Sequence, residues 1–200
     1  MTRAVWVSAF LALVAAPAPA QRPHRPHRSG LWGEFGGGPG RLRVACSGCN
    51  SVVLSSGSTS YIRIGGTVSD HVLIGVEAFS LLDRGFGFVS GDSGSTENGT
   101  IALIVIWFPG RTGLFVKGGV GLAGGQFTLP SSPTTADTSN GLGTGMTFGA
   151  GWDWSISRRF AFTVNVAAYV TAVGDVVLPS RRVDDVIATM YQGSIGFSFR

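Results

Sequence analysis

Between Thr100 and Leu122 the chain runs as two apolar-rich arms about a turn at Pro109-Gly110-Arg111-Thr112-Gly113. In the second arm Leu114, Val116, Val120 and Leu122 share one parity, and Phe115, Lys117, Gly119 and Gly121 the other. Successive side chains of a strand point to opposite faces, so one face is apolar and the other holds a charge and glycines. The same period of two recurs along the chain and predicts about eight strands. The first spans Leu31 to Gly38, with Leu31 and Phe35 opposite Trp32 and Glu34. The second spans Thr59 to Val68, with Ile62 and Ile64 opposite Tyr61 and Arg63, and the third spans Val72 to Leu82, with Glu77 opposite Val72, Ile74, Val76 and Ala78. The two arms supply the fourth and fifth. The sixth spans Leu142 to Trp154, the seventh Phe160 to Val170 and the last Ile187 to Phe199.

The connections alternate in length. Short turns are expected at Ser69-Asp70, Pro109 to Gly113 and Ser155 to Arg158, and long loops over Pro39 to Gly57, Asp83 to Gly99, Gly124 to Asn140 and Gly174 to Asp185. Trp107, Trp154, Phe160 and Phe199 all fall at the short-turn end, as an interfacial aromatic girdle would.

Composition decides which face is outside. The 200 residues are 44% hydrophobic and only 13% charged, against roughly 25% charged in soluble domains. No apolar run of about 20 residues follows the N-terminus, so a helical span is not expected. The other structure that satisfies its backbone inside lipid is a closed barrel. The expected fold is therefore all-β: a transmembrane up-and-down antiparallel barrel with its apolar parity in lipid and its charges in the lumen. A soluble barrel would invert both faces. The 31 glycines suit turns and a crowded small-barrel interior.

Met1 to Ala20 reads as a secretory signal peptide, with Arg3, an apolar stretch from Ala4 to Ala16, and Ala18-Pro19-Ala20 before a mature start at Gln21. Gln21 to Ser29 repeats Arg-Pro-His, lacks large apolar residues and reads as a solvated linker to a barrel domain over residues 30–200.

With its signal peptide, alternating loops and girdle, and with the ending Tyr191-Gln192-Gly193-Ser194-Ile195-Gly196-Phe197-Ser198-Phe199, the chain resembles the small eight-stranded outer-membrane barrels of the OmpA/OmpX type. The resemblance implies residence in the outer membrane of a Gram-negative-type bacterium. It also implies contact with outer-membrane lipid and lipopolysaccharide, and insertion by the barrel assembly machinery, which reads a terminal aromatic. Arg200 after Phe199 departs from that ending.

Candidate chemistry is sparse. Glu34, Arg63, Glu77 and Lys117 take the inward parity, and two acids with two bases can neutralise one another. The expected result is a lumen plugged by salt bridges; the alternative is a gated polar path. Cys46 and Cys49, with the spacing Cys-Ser-Gly-Cys, lack a second cysteine pair. In an exported chain they are expected to form a local disulfide. The inward residues of the fourth strand, Ala102, Ile104, Ile106 and Phe108, either line a slot for a small hydrophobic molecule or pack locally. His71 beside Asp70 and Ser69 is the one mature histidine outside the tail, and its placement in a short turn argues against a lipid-modifying enzyme. Asp92, Asp175, Asp184 and Asp185, with Arg181 and Arg182, lie in the expected long loops, where solvated charge is the default reading and a divalent cation or lipid phosphate the other. The net charge of +4 comes from scattered arginines without a basic aromatic stripe, so nucleic acid is not an expected partner. No catalytic residue, metal or cofactor is expected. The role expected is structural or surface interaction, with binding specificity in the loops.

Overall fold

A computed structural model describes residues 30–47, 53–86, 94–110, 112–132, 135–157, 159–178 and 181–200. They form eight strands: β1 Leu31–Ser47, β2 Val53–Ser69, β3 Val72–Phe86, β4 Gly94–Trp107, β5 Leu114–Ser132, β6 Thr135–Ser155, β7 Phe160–Leu178 and β8 Arg181–Phe199. Each pairs antiparallel with its sequence neighbours, and β1 pairs with β8, which closes the barrel. Closure leaves no sheet edge within the paired region.

The barrel is apolar outside and polar inside. Leu103 is 66% exposed, whereas Arg63 is fully enclosed at 0%. Water would penalise that distribution and lipid favours it, which makes the fold a transmembrane barrel. Trp107, Trp154, Phe160 and Phe199 are each 46% to 57% exposed at the short-turn end. The register adds members that strand position alone does not reveal. Trp154 pairs with Phe162, Phe162 with Phe197, and Phe197 with Phe35. Ring centroids along this row lie 6.0, 5.7 and 6.2 Å apart. Aromatics at such separations attract beyond their buried area.

Turn chemistry secures the short-turn end. The Ser69 hydroxyl accepts the His71 amide at 3.3 Å, and Ser157 Oγ accepts the Phe160 amide at 3.1 Å. Gly113 has φ of +96°, a conformation that side-chain-bearing residues rarely adopt.

The strands run far beyond their expected ends. Most of the four segments expected as long loops is β-structure: β1 continues through Pro39 to Ser47, and β2 begins at Val53. Likewise β4 begins at Gly94, β5 and β6 extend to Ser132 and back from Thr135, and β7 and β8 reach Leu178 and Arg181. Ladder hydrogen bonds need only backbone, so Gly-, Ser- and Thr-rich stretches continue the sheet without an apolar alternation to announce it. Pro39 interrupts the β1–β8 ladder. Gly37 pairs with Ile195 and Gly40 with Gln192, in unbroken register, but no β8 partner is bridged at Gly38 or Pro39. Proline has no N–H to donate.

In this upper part the faces exchange character. On β1 the outward Arg41 and Arg43 are exposed, while the inward Leu42 and Val44 are each 1% exposed. Leu42 and Val44 join Phe79, Leu81, Val186, Ala188 and Met190 in one buried cluster. A second cluster of Trp32, Leu73, Ala102, Ile104, Ile106, Phe108 and Phe115 fills the lumen toward the short-turn end.

Met1 to Ser29 and Asp92 lie outside the described residues, as does Cys49, so the leader, linker and disulfide expectations are not addressed there. The backbone of Cys46 is the next-to-last position of β1, and Asp175, Arg181, Arg182, Asp184 and Asp185 lie on β7 and β8; their side chains are outside the description.

Candidate functional site: a charged layer across the lumen

Between the two apolar clusters lies a polar layer, placed there by cross-strand register. Glu34 pairs with Arg63 on β2, and Arg63 with Glu77 on β3. Three neighbouring strands thus set acid, base and acid side by side on the inward face. Arg63 Nη1 donates to Glu34 Oε1 at 2.8 Å, and its Nε donates to Glu77 Oε2. Lys117 enters from β5. Its Nζ donates to both Glu77 oxygens, with 2.7 Å to Oε1. The structure therefore brings Glu34, Arg63, Glu77 and Lys117 into one connected, charge-balanced network. Desolvated charges are tolerable when neutralised and hydrogen-bonded in this way.

Tyrosines extend the network on both sides. Tyr61 donates to Glu34 Oε1 at 2.7 Å and accepts from Asn165 Nδ2 at 2.9 Å. The Arg63 guanidinium lies 4.2 Å from the Tyr61 ring centre. Tyr169 accepts from Lys117 at 3.1 Å, donates to Gln192 at 3.3 Å, and stacks on Phe79 with centroids 3.7 Å apart. Inward glycines make the room. A Cβ at Gly36 would meet the Tyr61 hydroxyl at 2.7 Å, and one at Gly149 would meet Lys117 Cε at 2.9 Å. The tyrosine, asparagine and glutamine members had the inward parity in the sequence, but only register shows that they meet the charges.

A second ion pair was not foreseen. Arg200 follows the outward Phe199, so its side chain turns inward and pairs with Asp153, which also accepts from Thr163 Oγ1 at 2.9 Å. The Arg200 amide donates to the Arg159 carbonyl at 3.0 Å. Arg200 thus leaves Phe199 in the girdle and ties β8 to β6 across the base of the lumen.

Apolar side chains occupy the lumen toward the short-turn end. The inward side of β4 is not an open slot: Ala102, Ile104, Ile106 and Phe108 pack with Trp32, Leu73 and Phe115. Phe108 and Phe115 lie 5.6 Å apart by centroid. Beside them, a void bounded by Trp32, Glu34, Asp153 and Arg200 has a volume of about 10 Å³, at most the space of one water molecule. His71 is exposed in the β2–β3 turn, where its amide bonds to Ser69.

An eight-stranded closed antiparallel barrel with a lipid-facing exterior and a side-chain-filled lumen defines the class: the fold is that of the small OmpA/OmpX-type outer-membrane barrels. No protein-family model matches the chain, and a search of curated protein sequences finds no match. Among solved structures it is similar to Ail, the attachment invasion locus protein of Yersinia pestis, at 14% identity and a TM-score of 0.57 over 85% of this chain and 99% of that one. It is similar to Neisserial surface protein A at 12% identity and 0.55, over 86% and 97%. OprG from Pseudomonas aeruginosa matches at 14% identity and 0.51, over 87% and 98%. At these identities the likeness concerns the fold.

Proposed function

We propose that the chain is a non-enzymatic outer-membrane protein with a sealed lumen. Its role is structural or surface-interacting, exercised by the part of the barrel that stands above the lipid. The carrying observation is the stack inside the lumen: an apolar cluster, the Glu34–Arg63–Glu77–Lys117 layer, and a second apolar cluster. Among the described residues this stack favours a sealed lumen over a water-lined route or a chamber for a small hydrophobic molecule. Ail, whose fold this chain shares, is named an attachment invasion locus protein, which agrees with a surface-interacting role. In this reading Met1 to Ala20 is cleaved on export, Cys46 and Cys49 form a disulfide, and the assembly machinery reads Phe199 with Arg200 folded inward. Lipid and lipopolysaccharide surround the exterior, and the external partner meets the extended strands instead of long loops.

Conductance across planar lipid bilayers tests the reading. Refolded chain spanning residues 21–200 is expected to add no steady ion current. A reproducible open level would overturn the sealed lumen and favour a channel.

A further inference from the structure

The outer wall of the barrel is uneven. On β4 and β5 it presents Ile101, Leu103, Val105, Val116, Val120 and Leu122, all large and exposed. Across β6, β7, β8, β1 and the edge of β2 at Ser56 and Gly57 it holds a groove of about 990 Å³. Its lining includes the small residues Ala150, Ala168 and Gly193 between the larger Phe148, Val166 and Tyr191. The groove also reaches Arg41, which is exposed and paired in register with Tyr191. Arg43, outward and exposed, stands two residues farther along β1, about 7 Å away at strand rise. Among the described residues neither arginine is in an ion pair.

We propose that this groove is a binding site for one anionic membrane lipid, with an acyl chain along Ala150, Ala168 and Gly193 and the headgroup phosphate on Arg41 and Arg43. The argument is one of matched chemistry. The groove is mainly apolar, and on its β1 side it reaches Arg41, with Arg43 one outward position beyond, where the lipid-facing pattern of β1 gives way to its polar one. An amphiphile with a negative head and an apolar chain meets both parts at once. Guanidinium groups bind phosphate through paired N–H donors, and Tyr191 beside Arg41 is the kind of residue found at the headgroup level. A second copy of the chain fits less well. A two-fold contact through this face would bring the same arginines of both copies together.

The inference rests on the reading of the chain as a membrane barrel, and heat-modifiability on gels of each sample reports that reading separately. Refolded chain in detergent micelles is mixed with phosphatidylglycerol and with diacylglycerol of identical acyl chains, which lacks the phosphate, and native mass spectrometry counts the lipids retained. One phosphatidylglycerol per barrel is expected, preferred by at least about tenfold, since charge-assisted hydrogen bonds are lost with the neutral head. The R41Q/R43Q double variant is expected to lose the preference. A Cβ at Gly193 would meet nothing within 4 Å, so Gly193→Leu fills the groove without disturbing the barrel. That variant is expected to retain neither lipid. Equal retention of the two lipids would overturn the proposal, as would undiminished retention by a folded Gly193→Leu barrel. A dimer that Gly193→Leu dissociates would also overturn it and assign the groove to a contact between copies.

Discussion

The lower and upper halves of β1 obey opposite rules without a change of parity. In the lower half Leu31 and Phe35 face out and Glu34 faces in; in the upper half Arg41 and Arg43 face out and Leu42 and Val44 face in. The two patterns belong to one strand in one register with β2. What changes is the medium around the barrel. In lipid the apolar parity is outermost and the lumen can hold charge; in water the polar parity is outermost and the lumen becomes an ordinary apolar core. β3 repeats the lesson, with Glu77 buried below, and Phe79 and Leu81 buried above beside an outward Ser80. The chain is therefore two proteins in series, a membrane barrel and a soluble one, sharing their strands.

The sharpest way to break the lower rule is to remove the carboxylate shared by both cations. Glu77→Ala leaves Arg63 and Lys117 without their common acceptor, and its expected cost is about 3–5 kcal/mol. The urea midpoint of refolded protein in lipid vesicles measures it, and an unchanged midpoint would dissolve the network. Next comes a charge placed on the outer face at two heights. Leu103→Arg sits in the lipid band and is expected to cost about 2–4 kcal/mol. Thr189→Glu, also on an outward parity but directly opposite Arg43 in the upper part, is expected to cost nothing and to gain at most about 1 kcal/mol from the cross-strand pair. Equal effects at the two sites would erase the distinction between the halves. The smallest expected effect belongs to Tyr61→Phe. It removes the hydroxyl that joins Glu34 to Asn165 while keeping the ring under Arg63, at about 1 kcal/mol.

Parity is a local property, and the sequence carried it well. Each strand's alternation placed Glu34, Arg63, Glu77 and Lys117 inward, and the structure assembles them. Register is a relation between strands, and it was not legible. No feature of Phe35, Phe162 or Phe197 taken singly says that they fall in one row with Trp154. The upper halves escaped for a different reason. Reading Pro39 to Gly57 as a loop follows from its proline and glycines, yet Arg41-Leu42-Arg43-Val44 is a plain alternation there. Its sense is reversed, so a reading that looks for apolar residues facing lipid passes over it. Arg200 was hidden because its partner Asp153 lies on β6, two strands away around the wall.

The joint between β1 and β8 carries a kinetic consequence. Every other pair of neighbouring strands is linked by a hairpin, and its contacts can form after a short search. Gly33 meets Phe199 only when the two ends of the barrel segment find each other. The loop-closure entropy of that meeting is the largest in the molecule, and it is recovered only when the ladder is made. The Phe35–Phe197 contact and the inward clasp of Arg200 on Asp153 both lie at or beside this joint, at the chain's last residues. Until they engage, the nascent sheet keeps two open edges, which makes zipping this joint the step that separates an inserted barrel from a sheet still able to pair with its neighbours.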